Sequence, residues 1–201
     1  MRTSSDSSDD DIPTLVQQIN ALEMSDLKTA TIIHTNLLHA PILTDGEITP
    51  KVVCEFEKHC NMFFINAKGG VPNTKKVKWI LGVFEHPKVS DWMDTDGKHL
   101  GKHSLPTFMK EFQKEFLLPN WEKMVQTQML RTHMDPDKHK FETWSAQILA
   151  HNTTLRNTDS HMTNEQLRSQ LEIMLDKDLW NLAIEAKATE IKELKPWINR
   201  I

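Results

Sequence analysis

The stretch Ser104–Leu155, SLPTFMKEFQKEFLLPNWEKMVQTQMLRTHMDPDKHKFETWSAQILAHNTTL, decides the fold class. In it, three apolar-periodic segments follow one another with almost no connecting loop. Leu105, Met109, Phe112 and Phe116 recur at helical intervals. Ser104 stands where an N-cap belongs, Pro106 falls in the first turn, and Leu117, Leu118 and Pro119 stop the segment. Trp121, Met124, Val125 and Gln128 with Met129 carry the same period on to Met134, where Asp135, Pro136 and Asp137 make a turn. Phe141, Trp144, Ile148 and Leu155 then pattern a third helix. Nothing in this pattern requires catalysis, because apolar side chains three and four residues apart build a buried face.

Working upstream, Thr49 as N-cap and Pro50 at the first helical position open a helix with Val53, Phe56, Cys60, Phe63 and Phe64 on one face, ending before Gly69-Gly70. Asn73 or Thr74 opens the next, patterned by Val77, Ile80, Leu81 and Phe84 with Trp79 beside them, and His86-Pro87 is expected to close it. Val89, Trp92 and Met93 predict one short helix, followed by an exposed loop over Asp94–His103, which is rich in Gly, Asp, Lys and His. Nearer the start, Thr29–Ile42 has irregularly spaced β-branched residues and is open between a strand, a short helix and an extended arm. Asp11 and Pro13 head a short helix patterned by Leu15, Val16, Ile19 and Leu22. Residues 3–11 are all Ser, Asp or Thr and predict a disordered acidic tail, since they cannot bury enough apolar surface to offset the entropy of ordering.

Working downstream, Arg156–Met162 is a polar loop, and Thr163 with Gln166 three residues later forms a capping box before Leu167, Leu171, Met174 and Leu175. Asp176 or Asp178 starts another helix with Leu179, Trp180, Leu182 and Ala183. Thr189 is expected to head a last one with Ile191, Leu194, Trp197 and Ile198, shortened or kinked by Pro196.

Chemistry is sparse. The ten histidines show no HExxH, paired CxxC or zinc-knuckle spacing; His99 and His103, with Asp94 and Asp96 nearby, make the densest cluster. We therefore expect no metal and no cofactor. Cys54 and Cys60 both fall in a helix and read as buried or half-buried thiols, and His59 beside Cys60 cannot pair with it, since helix neighbours point about 100° apart. Asp135 and Asp137 flank a turn proline, Gly69-Gly70 lacks a following GK[ST], and Asp94-Thr95-Asp96-Gly97 is not an aspartic-protease triplet, so no catalytic set emerges and no small-molecule substrate is expected. The Asn152-Thr153-Thr154 sequon reads as chance.

Charge is uneven. Residues 1–50 carry 2 basic and 8 acidic groups, 51–120 carry 11 and 8, and 121–201 carry 11 and 12, for a net charge of −4, so the chain lacks the basic excess of a dedicated nucleic-acid binder. The nearest candidate for an RNA contact is Lys75, Lys76 and Lys78. No apolar run approaches the ~20 residues of a membrane span, and the acidic start is unlike a signal peptide, which leads us to expect a cytoplasmic or nuclear protein. Six tryptophans fall mostly within helical patterns, where core packing is the default and an interface anchor the exception.

The ordered set Phe112, Phe116, Pro119, Asn120 and Trp121, then Phe141, Glu142, Trp144 and Leu155, then Leu167, Gln170, Leu171, Glu172, Leu175 and Leu179 resembles the Gag (capsid) region of gypsy-type long-terminal-repeat retrotransposons, fungal versions above all. The likeness spans roughly Thr49 to Ala186. It implies an all-α, two-lobed, retroviral-capsid-like helical bundle: a disordered acidic tail with a short arm or helix over 1–48, an N-terminal lobe over 49–118 and a C-terminal lobe over 119–201. Phe112, Phe116, Trp121, Phe141, Trp144, Ile148, Leu155, Leu167, Leu171 and Leu175 would form the motif core, with Phe141–Leu155 in the place of the family's major homology region. The implied function is self-assembly into virus-like particles around element RNA. The expected partners are other copies of the chain and element RNA, the latter contacted weakly or through a C-terminal region the chain lacks. Two departures, no Gly before Phe141 and no zinc-knuckle tail, fit a truncated or domesticated copy. The alternative is a helical protein-interaction module with no retroelement role.

Overall fold

A computed structural model describes residues 28–67, 70–135 and 140–201. Among these the chain is predominantly helical, with one two-stranded hairpin. It divides into two compact units between Phe112 and Gln113. The acidic tail and the short helix expected from Asp11 lie outside the described residues.

In the first unit, Thr29–Ile42 takes the strand option: β1 (Ile32–Ile33) pairs antiparallel with β2 (Ile42–Leu43), Ile32 opposite Leu43. A lone two-stranded hairpin is marginal in water. Here the ladder is extended by Ala30 N–H to Glu47 O (3.0 Å) and Glu47 N–H to Lys28 O (2.8 Å), and Leu43 bonds across to Val83 O and Glu85 N–H at 3.2 and 2.9 Å. Gly46 is required at its turn: φ is +136° and a Cβ there would lie 2.3 Å from Lys28 O.

Helix α1 (Pro50–Asn66) starts as its sequence predicts, with Thr49 Oγ1 accepting from Val52 N–H and Pro50 in the first turn, and it buries Val52, Val53, Phe56, Cys60, Phe63 and Phe64. Helix α2 (Asn73–Ile80) ends earlier than expected. His86-Pro87 does not close it but opens α3 (Pro87–Leu100), since proline at the first helical position lacks only an N–H that would be unpaired there. The loop expected over Asp94–His103 is mostly helix. Val89, Met93 and Leu100 keep one buried side running through α3, and the intervening Asp, Lys and His residues are its solvent face rather than loop residues. Helix α4 (Leu105–Phe116) is capped by Ser104 Oγ, 3.4 Å from Thr107 N, and buries Leu105, Phe108, Met109 and Phe112. Phe56, Phe84, Trp92, Phe108 and Phe112 form one aromatic cluster with centroids 5.2 to 6.4 Å apart. Phe63 meets Phe64 and the half-exposed Trp79, with ring centroids 5.2 and 6.1 Å away.

In the second unit, α5 (Trp121–Arg131) stops short of Met134; the Thr132 carbonyl beyond it accepts from Trp144 Nε1–H at 2.8 Å, tying it to α6 (Phe141–Thr154). Of the expected turn, Pro136 and Asp137 lie outside the described residues. The capping box of α7 (Asn164–Met174) is complete, and Asp176 caps α8 (Lys177–Glu185). Trp144, Ile148, Leu167 and Leu171 share a core with Met129, Met174, Ala183, Ala188, Leu194 and Trp197. The helix expected from Thr189 is instead a 3-10 turn at Ala188–Glu190 followed by α9 (Leu194–Ile198). Pro196 explains this: it sits unstrained only in a first turn, so the helix begins just before it.

Candidate functional site

Every residue of the expected motif core is at least half-buried. Phe112, Trp121, Trp144, Ile148, Leu155, Leu167 and Leu171 are buried, whereas Phe116, Phe141 and Leu175 are half-buried. These side chains pack; none presents a reactive atom. Their positions are set by helical period, with Trp144 further oriented by its bond to Thr132 O.

The expected basic cluster Lys75, Lys76 and Lys78 splits by role. Lys76 is half-buried with its ammonium 5.4 Å from the centre of the Phe64 ring, and Lys75 is exposed. Lys78 turns toward α3 and joins Lys98 and Lys102 along an open groove of about 790 Å³, lined also by Leu81, Gly82, Met93, Asp94, Gly97 and Gly101. Among the described residues, none of the three lysines is in an ion pair. Gly101 allows the helices to approach, since a Cβ there would sit 3.3 Å from Lys78 Cγ and 3.2 Å from Gly97 O. Gly82 and Gly97 have no atom within 4 Å of where a Cβ would be. Gly97 thus costs helix α3 about 1 kcal/mol relative to alanine with no packing in return. Sequence reasoning found Lys78 but missed Lys98 and Lys102, because it placed both in a loop, whereas Lys98 lies on α3 and Lys102 in the turn just after it, alongside α2.

Two histidine pairs form. His99 and His103 meet edge-on at 4.7 Å. His34, whose Nε2–H donates to His39 O at 3.1 Å, faces His59 with the two Nδ1 atoms 2.8 Å apart, so that a single proton lies between the rings. The titration of His59 is pushed below the ordinary histidine range by burial, then by His34 and Lys58, against a smaller opposing pull from Glu55. His151 is lowered by burial. The Cys60 thiol is buried and pushed far up, so it is no nucleophile at neutral pH. Neither cysteine is in a disulfide. Among the described residues, no three His, Cys, Asp or Glu side chains converge as a metal site would need, and no helix is long and apolar enough to cross a membrane.

Two polar residues to which the sequence reading gave no structural role, Asn152 and Arg168, hold parts of the second unit together. Asn152, 5% exposed, donates from Nδ2 to Met162 O at 3.0 Å and accepts at Oδ1 from Met162 N–H at 2.8 Å, so it clamps the α6–α7 loop and has no room for a glycan. Arg168 bonds Glu172, Thr189 O and Ile191 O and lies 5.7 Å over the Trp197 ring. Compared with protein-family models, with curated proteins and with solved structures, the chain matches none.

Proposed function

We propose that the chain is a capsid-like structural protein of the gypsy-type retrotransposon Gag class that self-assembles into particles and has no catalytic activity of its own. The observation that carries this reading is the ordered series of aromatic and leucine residues from Phe112 to Leu179. Its support from physical chemistry is that this series falls on consecutive helices and supplies core side chains, among them the fully buried Phe112, Trp144, Ile148 and Leu171. A fold of this kind, with every large motif residue spent on packing, suits a building block. Exposed apolar side chains such as Ile65, Ile173 and Leu182 are available for modest repeated contacts. Element RNA would be the cargo, met in the cytoplasm or nucleus.

The test is multi-angle light scattering over a concentration series, with negative-stain microscopy of the largest species. Oligomers or particles that grow with concentration support the reading. A monomer throughout favours a helical protein-interaction module instead.

A further inference from the structure

The groove between α2 and α3 has two features that helix packing does not explain. Lys78 and Lys98 lie in the last turns of their helices, where an ammonium group offsets the partial negative charge of the helix end. Two such ends, at about half a charge each, and Asp94 together balance about two positive charges, yet the groove holds three lysines and Lys102 lies beyond α3 altogether. The excess is positive. The second feature is the bare wall at Gly82 and Gly97, where a Cβ would meet nothing within 4 Å. Glycine is not needed there for packing, but it does let a ligand approach the backbone.

We propose that this groove binds a chain of phosphates, with Lys78, Lys98 and Lys102 meeting the charge and the ligand lying against Gly82 and Gly97. The lining has no aromatic residue, so bases are not stacked and recognition is of the backbone, independent of sequence. Lysine suits this role, since its compact ammonium acts as a point charge on phosphate. Two sources carry such chemistry: the backbone of single-stranded RNA and a free polyphosphate. Asp94 favours RNA, because a ribose hydroxyl can donate to a carboxylate that a bare polyphosphate would only repel. The RNA source rests on the assembly reading above; the phosphate site itself does not.

The experiment uses the full chain, dilute enough to exclude assembly, and follows the fluorescence anisotropy of a labelled 12-nucleotide oligouridylate. Three lysines imply that log K falls with log salt at a slope of about −2, at about −0.7 per phosphate for single strands. Lys78→Gln/Lys98→Gln/Lys102→Gln should weaken binding at least tenfold, and Lys102→Gln alone, outside any helix, keeps the test valid if the triple variant loses helicity. Gly97→Ala should weaken binding several-fold while raising the melting temperature, an opposition that a purely structural glycine would not produce. Inorganic tripolyphosphate forms the second arm. Its saturable, lysine-dependent binding without RNA binding assigns the site to free polyphosphate, and RNA binding without it assigns RNA. If neither probe binds, or binding is indifferent to both the lysines and Gly97, the proposal is overturned. Binding by a chain that stays monomeric when concentrated would sink the assembly reading alone.

Discussion

Phe112 touches the rings of Phe56, Phe84, Trp92 and Phe108 and is fully buried. Truncating it removes one side of four aromatic contacts and leaves a cavity the neighbours cannot fill, so Phe112→Ala should cost about 3–5 kcal/mol, read from denaturant unfolding. Asn152 is a different kind of residue, small in surface but closing two backbone bonds at Met162. Asn152→Ala strands the Met162 N–H and C=O in a part-buried loop and is expected to cost about 1–3 kcal/mol by the same assay. Histidine supplies the pH dependence. Because His59 and His151 titrate below the ordinary value in the folded chain, the unfolded chain binds more protons as pH falls through about 6.5. Their contribution to stability is therefore present above that pH and lost below it, and it ends once the folded histidines also protonate. The groups facing His59 are His34, Lys58 and Glu55, of which the first two work in the same direction as burial. The melting temperature should fall on acidification from pH 7 to 5, and less steeply in His59→Gln.

At the scale of elements, start signals were legible and lengths were not. Thr49-Pro50, Ser104 and the Thr163/Gln166 box all open helices where expected, because a cap needs only its own side chain and a nearby N–H. Thr163→Ala should accordingly cost about 1 kcal/mol, measurable by thermal melting. The second half of α3, from Asp94 on, was misread as a loop because polar residues with a glycine look the same on an exposed helix face as in a turn. Only the wider spacing of Val89, Met93 and Leu100 distinguishes them, and it spans three turns. Proline was ambiguous for a physical reason as well: at Pro87 and Pro196 it belongs to a first turn, while the same residue type could equally end a helix. Tertiary groupings such as the lysine groove, the His34–His59 pair and the Arg168 contacts to Thr189, Ile191 and Trp197 join residues up to 29 positions apart, and they appear only once helices are placed.

For the whole molecule, the ordered aromatic and leucine series was legible as a core because burial follows helical period, and Trp144, Ile148, Leu167 and Leu171 do share one cluster. What a core does not encode is the partner of its surface, which is why the function rests on a resemblance and on assembly behaviour. A net charge of −4 gives each copy a small mutual repulsion that salt screens over about 10 Å at 0.1 M. Interfaces built mainly on apolar contact should then strengthen with ionic strength, while phosphate binding in the lysine groove weakens, so the two activities have salt slopes of opposite sign. The most direct measurement is light scattering of the purified full chain across concentration at about 0.05 and 0.5 M salt, with and without RNA. Self-assembly as a capsid-like protein predicts a mass that rises with concentration and rises further at high salt, with particles visible by negative stain. A chain that remains monomeric at high concentration in both salts, with or without RNA, would contradict it.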